Sequence, residues 1–179
     1  EQIASLSTAQ VAGLSTAFLN ALSADQVGAL TSKTLAAIAP ANLAALTKIA
    51  GLSSVAISGL TSAQVNALTS AQINALGDSN GNAKGGDNDL LALNNAALAG
   101  LNKSNIIGLD LSKLNSSQFG ALSGTQLGLL NATGVPDSQS VVGLASGQLA
   151  TISTEQIASL NSAQVAGLST AFLNALSAD

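Results

Sequence analysis

The stretch LTSAQVNALTSAQINAL, residues 60–76, limits what this chain can fold into more than any other. Its two halves differ only at Val65 and Ile73, and each is eight residues long, so the unit reads L-[ST]-x-x-Q-[VIL]-x-[AG]. Thr61 precedes Gln64 by three residues, and Thr69 precedes Gln72 in the same way. This is a capping box. The hydroxyl accepts from the backbone N–H three residues on, and the Gln side chain reaches back to the N–H of the cap. Helix starts therefore recur every eight residues, which predicts a string of short helices of one to two turns, with a bend at each Leu-Thr or Leu-Ser step. One long helix fits poorly, because Leu and Val spaced by five and then three hold no single stripe at 3.6 residues per turn. A strand fits worse, since Ala, Asn and Gln are weak strand formers and no period of two is present.

In chain order, residues 1–5 finish an octad, and LSTAQVAG, LSTAFLNA, LSADQVGA and LTSKTLAA follow in register from Leu6. IAPANLAA keeps the register, with Pro40 two residues after Ile38. Proline is tolerated there because the N–H groups of a first helical turn have no intrahelical partner. LTKIAG, residues 46–51, is two residues short and LDLSK, residues 109–113, is shorter still, which predicts corners of unequal length. Several later octads carry Asn at the cap, which serves as well as Ser or Thr.

A lone octad cannot fold. Burying its Leu and its Val or Ile gains about 1.5–3 kcal/mol each, whereas ordering eight residues costs on the order of 12 kcal/mol. The expectation is an all-α solenoid of short capped helices over residues 1–179, with two or three helices per coil and with Ala or Gly at position eight letting backbones approach closely. Gln10, Gln26, Gln64, Gln72, Gln118, Gln126, Gln148, Gln156 and Gln164 recur at position five. They serve either as caps, the preferred reading, or as a stacked polar ladder. Phe18, Phe119 and Phe172, at or next to the branched apolar site, read as core or seam fillers.

Two passages break the pattern. In GDSNGNAKGGDNDLLA, residues 77–92, four Gly and three of the nine acids of the whole chain are concentrated. Asp78, Asn80 and Asn82 stand at positions one, three and five of a twelve-residue loop, with the Lys84 carbonyl at seven and Asp89 at twelve. That spacing matches a calcium loop of the EF-hand or dockerin kind, although Ala83 replaces the usual Gly and the closing acid is Asp rather than Glu. The plainer reading is a solvated Gly/Asn/Asp excursion between two coils. The second passage, residues 131–143, turns at Gly134, Pro136 and Asp137.

Composition removes most chemistry. With five Lys, no Arg and nine acids the net charge is −4, so no basic face is available for a phosphate backbone and nucleic acid is not an expected partner. No apolar run approaches the ~18–20 residues of a membrane span. Cys is absent, which excludes disulfides and thiol chemistry. With no His beside any hydroxyl, the many Ser and Thr read as caps and not as nucleophiles, and no enzymatic activity is expected. GNAKGG, residues 81–86, lacks the order of a phosphate-binding loop. Without an initiating Met, the chain reads as a processed or excised part of something longer.

Residues 155–179 repeat residues 1–25 with two changes, Ser7 to Asn161 and Thr8 to Ser162, which sets a second period of 154 residues. The octads at 60–76 and 152–168 resemble the LTTAQIAALTTAQVAAL-type arrays of very large secreted bacterial repeat proteins, labelled as adhesins or as haem utilisation or adhesion proteins. The resemblance implies an extracellular or cell-surface location and a structural or adhesive role. Haem finds no axial ligand here, because His, Met, Cys and Tyr are all absent. Three functional expectations follow: a self-associating fibre, surface-layer or biofilm-matrix subunit that stacks through its ends; an adhesin stalk or binding module that recognises through 77–92 and 131–143; and, least favoured, an ice-binding face of Ser and Thr rows.

Overall fold

The computed structural model describes residues 3–77, 89–129, 148 and 151–158. Among these residues there are twelve α-helices of four to eight residues, five 3-10 turns and no strand. Each of these α-helices starts directly after position two of its octad, the cap position. Ser7, Thr61 and Asn115 hold extended backbone angles (φ −72°, −93° and −79°; ψ 159°, 159° and 169°) and accept from the N–H of Gln10, Gln64 and Gln118. In the same three units the Gln side chain accepts from the cap N–H, which completes the box. Pro40 opens its helix at the first position, behind an Ala39 cap that makes no side-chain bond. Three of the longer helices end at the leading residue of the next octad, where Leu22, Ile38 and Leu68 return to extended angles (ψ 140°, 130° and 149°), and others end one residue sooner, at Gly13, Ala29 and Ala45.

Contacts arrange the units in threes. The first layer holds α1 (Thr8–Ala12), α2 (Thr16–Ala21) and α3 (Ala24–Gly28). The second holds α4 (Ser32–Ala37), α5 (Pro40–Ala44) and the 3-10 turn η2 (Ile49–Gly51). The third holds α6 (Ser54–Ile57), α7 (Ser62–Ala67) and α8 (Ser70–Gly77). Each member packs on its counterpart one layer earlier: α4 on α1, α5 on α2, η2 on α3, then α6 on α4, α7 on α5 and α8 on η2. A fourth layer of η3 (Asp89–Ala92), α9 (Asn95–Leu98) and η4 (Ile106–Gly108) packs on α6, α7 and α8 in the same order. Beyond it, α10 (Ser116–Gly120) packs on α9, α11 (Gly124–Leu129) on η4, and α12 (Thr154–Ala158) on α11. Among the described residues from α1 to η4 the units thus fall three to a layer, where the sequence left two or three open. The short units LTKIAG and LDLSK keep register by tightening into η2 and η5 (Leu111–Lys113).

One continuous core runs through the layers. Position six is sealed, with Leu35, Leu43, Val65, Ile73 and Phe119 all fully buried. The leading Leu is nearly so: Leu52, Leu60 and Leu114 expose 0%, 1% and 4%. Phe119 is thus a core filler as expected, but Phe18 is not, because it occupies position five and leaves 44% of its surface open.

Glycine at position eight sets the layer spacing. A Cβ on Gly59, Gly100 or Gly108 would lie 2.2, 2.0 or 1.9 Å from the carbonyl oxygen of Ser32, Ser62 or Ser70 one layer earlier. At Gly13 the nearest atom would be 3.6 Å away and the backbone is right-handed helical. Gly100→Ala and Gly108→Ala should therefore each destabilise by about 1–3 kcal/mol through overpacking. Gly13→Ala should stabilise by about 0.4–1 kcal/mol through the unfolded chain. Urea unfolding of the three variants checks both signs.

Candidate functional site

The groups that join one layer to the next are the position-five carboxamides. Gln64 Oε1 accepts from Thr61 N at 3.0 Å, the capping bond within its own octad. Its Nε2 turns the other way and donates to the carbonyls of Leu35 at 2.7 Å and Ile38 at 2.8 Å in the preceding layer. The Leu35 oxygen also accepts from Ile38 N at the close of α4, whereas the Ile38 oxygen, at the helix cap, is of the kind that a helix C-terminus leaves without an internal partner. One side chain thus caps the start of its own helix and the end of another.

The same geometry recurs throughout. Gln118 donates to Leu90 and Leu93, both at 2.7 Å, and Gln126 to Leu98 at 2.8 Å and Leu101 at 3.0 Å. Gln148 reaches Leu111 and Leu114, and Gln156 reaches Phe119 and Leu122. Gln64, Gln118 and Gln156 are at most 2% exposed. In such surroundings an unbonded amide would cost about 1–3 kcal/mol, so the bonds are needed for the fold to close.

Where the octad departs from its consensus, another side chain takes over. Asn105 accepts from Asn102 N and donates to Val65 and Leu68. In the unit with Ala97 at position five, Asn94 does both tasks from position two: its Oδ1 accepts from Ala97 N while its Nδ2 donates to Ser58 and Leu60. Asn42 donates to Leu14, and in the six-residue unit Lys48 Nζ donates to Asn20 and Leu22. Thr34 is too short to cross, and its hydroxyl turns back to Thr31. Capping was legible in the sequence; the crossing bond was not. The clue lies in residue choice, since Glu completes a capping box as well as Gln does, yet Glu stands at position five in none of the regular octads. A carboxylate cannot donate to a carbonyl.

Of the calcium-loop residues, Asp78, Asn80, Asn82 and Lys84 lie outside the described residues. Asp89 opens η3 and is 7% exposed. Counting back from Leu93, it takes the place that Gln fills in a regular octad. Among the described residues no three His, Cys, Asp or Glu side chains gather as a metal site. Beside that passage, a cavity of about 110 Å³ is lined by Asn74, Gly77, Leu90, Gly108, Asp110 and Lys113. Asp110 is committed locally, accepting from Ser112 N at 3.0 Å and Ser112 Oγ at 2.6 Å. Gln164 and Phe172 also lie outside the described residues.

Gln64→Glu should destabilise the chain by roughly 2 kcal/mol or more, because the Ile38 carbonyl loses its donor and both it and the Leu35 carbonyl then face a carboxylate. Gln10 is exposed, and its side chain bonds within its own octad. Gln10→Glu should therefore stay within about 0.5 kcal/mol of the parent in dilute solution. Chemical denaturation of both variants measures the contrast.

The comparisons agree with this repeat architecture. The ALTTAQ repeat matches residues 1–32, 49–78 and 141–178, more than half of the chain. No curated protein and no solved structure matches it. No helix among the described residues is long and apolar enough to cross a membrane. With the octad, its caps and its spacing all accounted for, the chain belongs to the ALTTAQ repeat family.

Proposed function

We propose that this chain is a non-enzymatic structural repeat, a solenoid that forms part of an extracellular bacterial fibre, surface layer or biofilm matrix and extends by stacking layer on layer. The observation that carries this reading is the crossing carboxamide. In each accepting pair the leading-residue carbonyl, that of Ile38, Leu93 or Leu122, is bonded by the following layer through Gln64, Gln118 or Gln156. Nothing in that bonding rule sets an upper length. The hydroxyls of Ser7, Ser15, Ser23, Ser53 and Thr61 are engaged as helix caps, which fits a scaffold better than catalysis. The likeness of the octads to secreted bacterial arrays supports the extracellular location.

A second reading, an adhesin stalk or binding module, is favoured by one observation. Both irregular passages enter at the same step of the layer, after a third unit: one follows α8 and the other follows α11. Insertions that share an edge are how repeat proteins build a binding face. In this reading calcium, held by Asp78, Asn80, Asn82, Asp89 and the Lys84 carbonyl, shapes the first passage.

Electron microscopy of the purified chain at rising concentration tests the first reading: rods or filaments are expected, and particles that stay single at every concentration would reject assembly. For the second, added Ca²⁺ should raise the melting temperature of the parent by several degrees, and Asp78→Ala and Asp89→Ala should each abolish that increment. A parent without any increment removes the metal.

A further inference from the structure

The layers are tied to one another along two of their three sides. Elements α1, α4, α6 and η3 stand one on another as a first column, α2, α5, α7 and α9 as a second, and α3, η2, α8 and η4 as a third. In the second column the leading-residue carbonyls of Leu14, Ile38 and Leu60 accept from Asn42, Gln64 and Asn94 of the layer that follows. In the third, those of Leu22, Leu46 and Leu68 accept from Lys48, Gln72 and Asn105. The corresponding carbonyls of the first column, at Leu6, Leu30 and Leu52, have no donor among the described residues. The cause is what stands at position five of that column. The Thr34 hydroxyl bonds back to the Thr31 carbonyl, Ala56 has no polar side-chain atom, and Asp89, as a carboxylate, donates nothing.

Two of these acceptors lie inside the molecule. Leu30 is 2% exposed and Leu52 is 0% exposed, so bulk water does not replace the missing donor. The first column is therefore held by the packing of side chains such as Leu35, Ile57 and Leu90, without the crossing bonds that the other two columns add to their own packing. Parting two layers along the second or third column breaks N–H···O bonds. Parting them along the first breaks none, and it brings water to carbonyls that the closed form leaves unpaired, which offsets part of the cost of exposing the apolar side chains. The two irregular passages, 77–92 and 131–143, enter at the step that follows a third unit, after α8 and after α11, where an excursion of the chain breaks no crossing bond.

We propose that the first column is the opening edge of the solenoid. Layers swing apart along it, with the bonded second and third columns as the hinge. They close again in register, because the bonds that set the register lie on the other two sides. This property belongs to a single chain and holds whether or not chains assemble, so it goes beyond both readings of the function.

The test uses the whole 179-residue chain, which has no Cys, so that one introduced thiol reports alone. Ala56 in the first column and Ala97 in the second occupy the same octad position, both are 0% exposed, and the N–H of each is capped, by Ser53 and by Asn94. Labelling of a buried thiol follows the population of the open form, so under native conditions Ala56→Cys should react with iodoacetamide at least ~10-fold faster than Ala97→Cys. Equal rates, or a faster reaction of Ala97→Cys, overturn the opening edge. A second comparison changes no side chain and decides the matter if either thiol variant loses the parent's helical signal. Gly-Ser-Gly-Ser inserted between Ala29 and Leu30 should lower Tm less than the same segment inserted between Ala37 and Ile38. The backbone bonds that close the two steps are alike, Leu30 N to Val27 O and Ile38 N to Leu35 O, and the steps differ in that the Ile38 carbonyl is held by Gln64. Equal losses, or a larger loss at Leu30, overturn the proposal. Filaments are read separately by microscopy, so failure here leaves the proposed function standing.

Discussion

Helix ends are the difficulty that this fold is built to solve. An α-helix leaves four N–H groups at its start and four carbonyls at its end without internal partners. In a long helix those groups are a small fraction of the backbone. In helices of four to eight residues they are most of it. A chain that starts a new helix every octad must supply a partner for almost every peptide group, and must do so inside a packed core where water is excluded. The position-five carboxamide meets that demand from both sides, with its oxygen on an N–H of its own octad and its nitrogen on two carbonyls of the layer before. The bonds at Gln64, from 2.7 to 3.0 Å, have ordinary geometry.

Packing follows from that hydrogen bonding. The layers sit at the separation that a Gln or Asn side chain spans, and at that separation there is no space for a methyl group between Gly59 and the Ser32 carbonyl, beside the Gln64 crossing, or between Gly108 and the Ser70 carbonyl, in the layer that Asn105 crosses. Small residues at position eight are therefore a requirement of the crossing bond as much as of the core. Leu at position one and a branched residue at position six then fill the interior with little help from aromatic rings, and Phe119 is the one ring sealed among the described residues. The irregular units show that the bonding rule matters more than the residue that obeys it. Asn94 acts from position two, Asn105 from position five and Lys48 from a shortened unit, and each delivers N–H donors to the same class of carbonyl.

How much of this could be read beforehand varies from residue to residue. Thr61 with Gln64, and Ser7 with Gln10, announce their helix starts outright, because a capping box is a local motif closed within four residues. Pro40 marks the first turn of α5 for the same local reason. The sequence leaves Phe18 between core and seam, and at position five, 44% exposed, it lies outside the core that seals Phe119. The crossing bonds of Gln64 or Gln148 join residues 26 to 37 apart in the chain, beyond anything that octad spacing encodes. The cation loop ending at Asp89 is a spacing argument alone, and its other four residues lie outside the described residues.

By itself the sequence determined that the chain is helical, where each helix begins, which two positions of every octad are buried, and that short units must lean on neighbours. These are consequences of local bonding and hydrophobic spacing, both of which act over fewer than ten residues. Only the tertiary structure decided that three units make a layer and that the carboxamide nitrogen serves the layer before. The physical reason is that a side-chain amide carries a donor and an acceptor, and the octad specifies a partner for the oxygen alone. What the nitrogen meets depends on which backbone lies across the gap, and no stretch of eight residues contains that information.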